Sequence, residues 1–206
     1  MLVESFFLST LITSVIFAEI VAIVEMDVPA PSGFQWINSK NGQVPPKAVN
    51  CGYDNGQLLY LGRALHSGDL LPGKVHPAHG CCFVPYNGGE HAVKEYEVLC
   101  VTDGGNYEWK GNTNGLVQSN AVQGGVTEEG EPLYVGRKQH DKALVSGKIQ
   151  PSKLGLFVPF GGNEHFYRDY EVLIGNFNEG DSSEPNGNSR PPCPRPCKPS
   201  FPQKRC

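Results

Sequence analysis

A block of about sixty residues is written twice in this chain, and a duplicated unit has to fold the same way both times. The first copy runs from Trp36 to Leu99 and the second from Trp109 to Leu173. Trp36 pairs with Trp109, Asn41-Gly42 with Asn114-Gly115 and Ala48-Val49 with Ala121-Val122, each 73 residues apart. The second copy then gains one residue, and the spacing becomes 74. Tyr60-Leu61-Gly62-Arg63 pairs with Tyr134-Val135-Gly136-Arg137, Gly73-Lys74 with Gly147-Lys148 and Phe83-Val84-Pro85 with Phe157-Val158-Pro159. Glu90-His91 pairs with Glu164-His165, and Tyr96-Glu97-Val98-Leu99 with Tyr170-Glu171-Val172-Leu173. Two copies serve as an internal control, because residues that recur are candidates for a shared fold or site.

The repeats read as strands. Leu58 to Leu61 and Pro132 to Val135 are short apolar runs after a glycine turn. Phe83 to Tyr86 and Phe157 to Phe160 are β-branched and aromatic. Tyr96 to Leu99 and Tyr170 to Leu173 alternate as half-buried strands do. No stretch carries helical periodicity. Pro85 and Pro159 lie inside strand patterns, which places them at edges or bulges. The expected fold is all-β: two tandem similar β units forming a sandwich-like body, with a disordered proline-rich C-terminal tail.

Residues 1–18 read as a signal peptide, apolar from Phe6 to Ala18, although Glu4 stands where a basic residue is usual and the first basic residue is Lys40. Glu19 interrupts the run short of a membrane span. Residues 19–34 are a lead segment, 35–101 the first repeat, 102–175 the second, and 176–206 a disordered Pro/Cys tail. Secretion is the expectation, with a cytoplasmic location as the alternative. None of Cys51, Cys81, Cys82 and Cys100 recurs in the second copy, so they are either disulfide partners or small core hydrophobes. The net charge is −4 and no long basic run occurs, which argues against nucleic acid as a partner.

The motifs Tyr60-Leu61-Gly62-Arg63, Leu71-Pro72-Gly73-Lys74-Val75 and Cys82 to His91, with their second-copy counterparts, resemble the DM-nine repeat family. The resemblance covers both repeats and neither the leader nor the tail. It implies a tandem β fold, and in some members mannose-binding lectins of invertebrate immunity. It also implies sugar-binding positions that match Asp54, in a glycine-rich turn, and Lys74, in a Pro-Gly-Lys turn. A carboxylate accepts from vicinal hydroxyls and an ammonium donates to sugar oxygens, and no metal or cofactor is needed. In the second copy Lys148 is retained, and either Thr127 or Glu128 takes the place of the aspartate. Turn capping or surface ion pairing is the plainer role for both lysines.

Arg63 and Arg137 are expected to pair with Glu90 or Glu164. Glu90-His91 and Glu164-His165 lack an accompanying nucleophile, so a fold role outranks catalysis and no enzyme is expected. Trp36 and Trp109 read as core aromatics. His76, His79, Cys81 and Cys82 are too cramped for a zinc site, and Glu184-Pro185-Asn186 lacks the other ligands of a calcium lectin. The functional expectation is a recognition protein for mannose-type glycans on microbial or host surfaces, acting in innate immunity and forming a homodimer. The alternative is a non-catalytic secreted interaction protein docking through its tail.

Overall fold

The structure is a computed structural model that describes residues 28–177. The signal-peptide reading and nearly all of the tail fall outside the described residues. Within them every regular element is a strand, apart from two one-turn 3-10 segments at Pro77–His79 and Pro151–Lys153. In the first repeat the strands are β1 (Phe34–Lys40), β2 (Asn50–Asp54), β3 (Gln57–His66), β4 (Asp69–His76), β5 (Cys81–Tyr86), β6 (Gly89–Val93) and β7 (Glu95–Val101). The second repeat supplies β8 (Gly105–Thr113), β9 (Gln123–Val126), β10 (Pro132–His140), β11 (Ala143–Gln150), β12 (Gly155–Phe160), β13 (Asn163–Tyr167) and β14 (Asp169–Phe177).

Turn chemistry explains much of this order. β2 and β3 are joined by Asn55-Gly56, with φ of 47° and 78°. That is the pairing a two-residue hairpin with two left-handed positions requires, since Asn and Gly tolerate them best. Asn87-Gly88 between β5 and β6 has the same form, with φ of 47° and 82°.

The repeats do not fold as two separate sheets laid side by side. β2 of the first pairs with β11 of the second, β4 with β9, and β6 with β13. Following β3, β2, β11, β10, β9 and β4 back to β3 closes a ring built of three neighbouring strands from each repeat, joined at β2–β11 and β4–β9, so the body is barrel-like. The packing is equally mixed. Leu59 and Leu61 of the first repeat share a cluster with Val145, Ile149 and Leu156 of the second. Leu133 of the second sits with Leu71, Val75 and Cys82 of the first. Gly52 and Gly125 occupy matching places at the crossings. A Cβ there would stand 1.9 Å from the Leu144 and Leu70 carbonyl oxygens respectively, so only glycine lets the strands approach.

Pro85 and Pro159 lie in β5 and β12, beyond the last pairs those strands make with β4 (Lys74 with Phe83) and β11 (Lys148 with Phe157). Their missing N–H groups therefore break no ladder bond on that side. Cys51, Cys82 and Cys100 are free and buried in the core, and Cys81 is free and half-buried, so the small-hydrophobe reading describes the first three. Burial pushes the Cys51 thiol up to about 11 and raises those of Cys82 and Cys100.

Candidate functional site

The recurring Gly-Lys and Glu-His motifs meet where the repeats interlock. Lys74 does not lie in a turn, as its Pro-Gly-Lys context suggests, but in the middle of β4; Lys148 lies likewise in β11. The glycine before each lysine serves close approach rather than a bend. A Cβ at Gly73 would stand 2.1 Å from the Phe83 carbonyl oxygen, and one at Gly147 2.0 Å from that of Phe157. Both lysines are buried, with 4% and 6% exposure.

A buried ammonium needs partners. Lys74 Nζ donates to the Pro159 carbonyl of the other repeat at 2.5 Å and stands 3.0 Å from Glu90 Oε1. The Phe160 ring centroid is 4.8 Å away and that of Phe83 5.7 Å, within the range where a ring face attracts a cation. Lys148 Nζ is 3.3 Å from Glu164 Oε1 and 5.7 and 5.6 Å from the Tyr86 and Phe157 rings.

The two glutamates complete a reciprocal clasp between hairpin tips. Gly162 N–H donates to Glu90 Oε2 at 2.7 Å, and Gly88 N–H donates to Glu164 Oε2 at 2.8 Å. Backbone bonds run beside them, from Glu90 N–H to the Gly162 carbonyl at 3.1 Å and from Glu164 N–H to the Gly88 carbonyl at 2.9 Å. Each carboxylate thus spends one oxygen on its own repeat's lysine and the other on its partner repeat's turn. This is the physical reason that Lys, Gly and Glu recur together.

Histidines and aromatic rings stand half-buried around each lysine. In one half His140 packs 4.3 Å from His165 and 4.7 Å from Phe160, and His165 Nε2 lies 3.0 Å from the Phe160 carbonyl. In the other, His66 packs 4.2 Å from His91 and 5.3 Å from Tyr86, with His91 Nε2 3.0 Å from the Tyr86 carbonyl. Burial and then the neighbouring histidine lower the pKa of His66, and burial and then His165 lower that of His140.

Asp54 ends β2, half-buried beside the Asn55-Gly56 turn. It forms no ion pair with Lys74; Glu90 is the carboxylate Lys74 meets. Asp54 faces Gln57 on β3 and Lys74 faces Leu61, so their backbones lie roughly 13 Å apart along the strand direction. Burial first, and then His79, lower the pKa of His76, which also lies in the field of both groups, Asp54 raising it and Lys74 lowering it. Its buried Nδ1 has no hydrogen-bond partner among the described residues.

In the second repeat Thr127 takes the place of Asp54, since Val126 pairs with Leu70 as Tyr53 pairs with Leu144. Thr127 is 7% exposed, and its Oγ1 accepts from Glu131 N–H. Glu128 is exposed in the turn, where its N–H donates to Asp69 Oδ1 at 2.8 Å.

The arginines correct the sequence reading. Arg63 pairs with Glu97 and Arg137 with Glu171, each at 2.7 Å, rather than with Glu90 or Glu164. Glu90 and Glu164 are already committed to the clasp. The signal was present, since Arg-Xaa33-Glu spacing recurs in both copies. Arg63 Cζ lies 4.1 Å over the Trp36 ring and Arg137 Cζ 4.2 Å over Trp109. Both tryptophans are half-buried against the main core.

Two interlocked β repeats, clasped by paired lysines and glutamates at a shared seam, define a tandem-repeat β protein rather than a two-domain chain. The DM9 repeat model matches residues 19–83 and 53–167, and the chain belongs to the DM9 repeat family. It is similar to natterin-3 of Thalassophryne nattereri, with 36% identity over 96 residues, and to natterin-4 of the same fish, with 30% identity over 146 residues. Those alignments cover 46% and 69% of this chain, which spans 24% and 34% of the two relatives. The fold is also similar to that of the nematode sperm cell motility protein MFP2B, with a TM-score of 0.56 and 14% identity over 75% of this chain and 49% of that one.

Proposed function

We propose that this protein is a lectin-like, non-catalytic carbohydrate-binding protein that recognises mannose-type glycans, is secreted, and acts in innate immune recognition. The observation that carries the reading is the twin constellation at the seam. Each lysine stands against an aromatic ring from the opposite repeat and beside a histidine pair. An ammonium has three N–H donors. Lys74 directs two of them at Pro159 and Glu90, which leaves one for a sugar oxygen. Half-buried Phe160 and Tyr86 offer ring faces to the apolar side of a hexose, as small-molecule sites combine apolar walls with a few placed polar groups. On this reading the ligand meets the ammonium past the half-buried rings, and Asp54 with His76 extends the polar row toward the rim of the first site. Family membership supports the same conclusion.

A glycan array on the recombinant full chain, followed by calorimetric titration with the best mannose-type hit, tests it. Binding that Lys74→Gln and Asp54→Ala weaken at least tenfold, in variants whose circular dichroism matches wild type, supports the proposal. An array at background, or affinity unchanged in both folded variants, ends it.

A further inference from the structure

The two repeats carry matching clefts on their outer faces. The first is lined by Asn38, Arg63, Leu65, Leu70, Tyr96 and Glu97. The second is lined at the equivalent positions by Gly111, Arg137, Gln139, Leu144, Tyr170 and Glu171. Each is floored by an arginine–glutamate pair whose guanidinium lies on a tryptophan.

The first cleft shows what such a place accepts. Val28 packs at its edge, where Arg63 Nη1 donates to the Val28 carbonyl at 2.7 Å. The Val28 side chain closes over Leu70 and Val126, leaving these three residues 7–8% exposed. The second cleft has the same parts with no such cover among the described residues. Leu144 and Tyr53 replace Leu70 and Val126; Leu144 is only half-buried and Tyr53 is 42% exposed. The Arg137 side chain is 18% exposed against 5% for Arg63. Glu171 takes the Arg137 Nε–H, and its two terminal nitrogens have no acceptor among the described residues. The second cleft is also the larger, about 790 Å³ against about 500 Å³.

We infer that the second cleft is a docking site for an extended peptide of a partner protein, with the chemistry of Val28-Pro29: an aliphatic side chain seated on Leu144 and Tyr53, and a backbone carbonyl received by Arg137. The peptide carbonyl meets Arg137 as the Val28 carbonyl meets Arg63. Lys138 and Asp169, an ion pair at the rim, frame the entrance.

A fluorescein-labelled synthetic peptide of residues 25–33, titrated into the full chain and followed by anisotropy, tests this. Saturable binding is expected. It should weaken at least tenfold with Leu144→Asp and with Arg137→Lys, vanish when the peptide carries aspartate in place of Val28, and persist with Arg63→Lys. If either Arg137 or Leu144 proves essential for folding, a photoreactive group at the Val28 position of the peptide gives an independent answer, since crosslinks should map to Tyr53 or Leu144. The inference is overturned by any of four results: no saturation; loss with Arg63→Lys alone, which means exchange into the first cleft; binding only after residues 178–206 are deleted, which makes the tail the occupant; or a concentration-dependent oligomer without peptide that Leu144→Asp dissolves, which makes it a second copy.

Discussion

Lys74 and Lys148 hold the same place in their repeats, yet their surroundings differ. Lys74 is fixed by a carbonyl, a carboxylate at 3.0 Å and two phenylalanine rings. Lys148 has its carboxylate at 3.3 Å, with a tyrosine and a phenylalanine around it, and Glu164 Oε1 accepts no hydrogen bond among the described residues. Along the strand from Lys74 the first repeat also keeps His76 and, farther off, Asp54. Around Lys148 the second has Thr127 and Gln150, and Gln150 donates to Glu131 at 2.8 Å. The second repeat has therefore satisfied internally the polar row that the first leaves with an orphaned His76 nitrogen. Duplication preserved the clasp, which both halves need, and released the flanking polar groups, which only one half keeps available.

Removing one member of a buried pair should break that comparison most visibly. Lys74→Ala strands Glu90 and should lower unfolding free energy by about 3–5 kcal/mol, with Lys148→Ala less damaging because its contacts are longer and fewer. Urea denaturation of the two variants checks the order; equal losses would mean that the extra Pro159 contact contributes nothing.

Gly52→Ala and Gly125→Ala should behave alike, since each forces a Cβ against a carbonyl across the seam. Destabilisation of about 1–3 kcal/mol or more is expected from such overpacking, read from the same denaturation curves. A large asymmetry would show that one crossing relaxes and the other does not.

Cys82 has Leu156 as its counterpart, and a buried hydroxyl in its place lacks an assured partner. Cys82→Ser should lower stability by about 1–3 kcal/mol. Thiol reagents at neutral pH should label Cys51 and Cys82 only upon unfolding, because burial disfavours both thiolates.

Acidification probes the histidine pairs in both halves. His66 and His140 have folded pKa values below their ordinary 6.5, so the folded state favours the neutral ring. The stability tied to them is complete above pH 6.5 and is lost as the pH falls through the lowered folded values. Melting temperature should therefore decline below about pH 6.5, and His66→Gln with His140→Gln should flatten that decline. The smallest effect is expected at Lys47–Asp103, a pair exposed on both sides. Lys47→Ala should leave the melting temperature unchanged within error, as is usual for solvated ion pairs.

The strand pattern was legible in local sequence because periodicity and Asn-Gly turns are local signals. β3, β5, β7 and their counterparts all contain the apolar runs that mark them. β4 and β11 were harder, since Pro72-Gly73 reads as a turn until Phe83 is placed 2.1 Å from where a Cβ would be. The arginine partners depend on the same kind of long-range information. Glu90 and Glu97 both recur at fixed spacing from Arg63, and only the clasp between hairpin tips shows that Glu90 is already engaged.

Duplication, turn residues and alternation fixed an all-β chain of two equivalent units, because each of those signals acts over a few residues. Tertiary structure alone decided that the units exchange strands, that Lys74 is held beneath the surface with Glu90, and that Asp54 stands well along the strand from it. It also decided that Val28 covers Leu70 and Val126 at the edge of one outer cleft, while Leu144 and Tyr53 at its twin have no such cover among the described residues. Those outcomes depend on which strand edges find each other across the seam, and such long-range pairing leaves no mark in any short stretch of sequence.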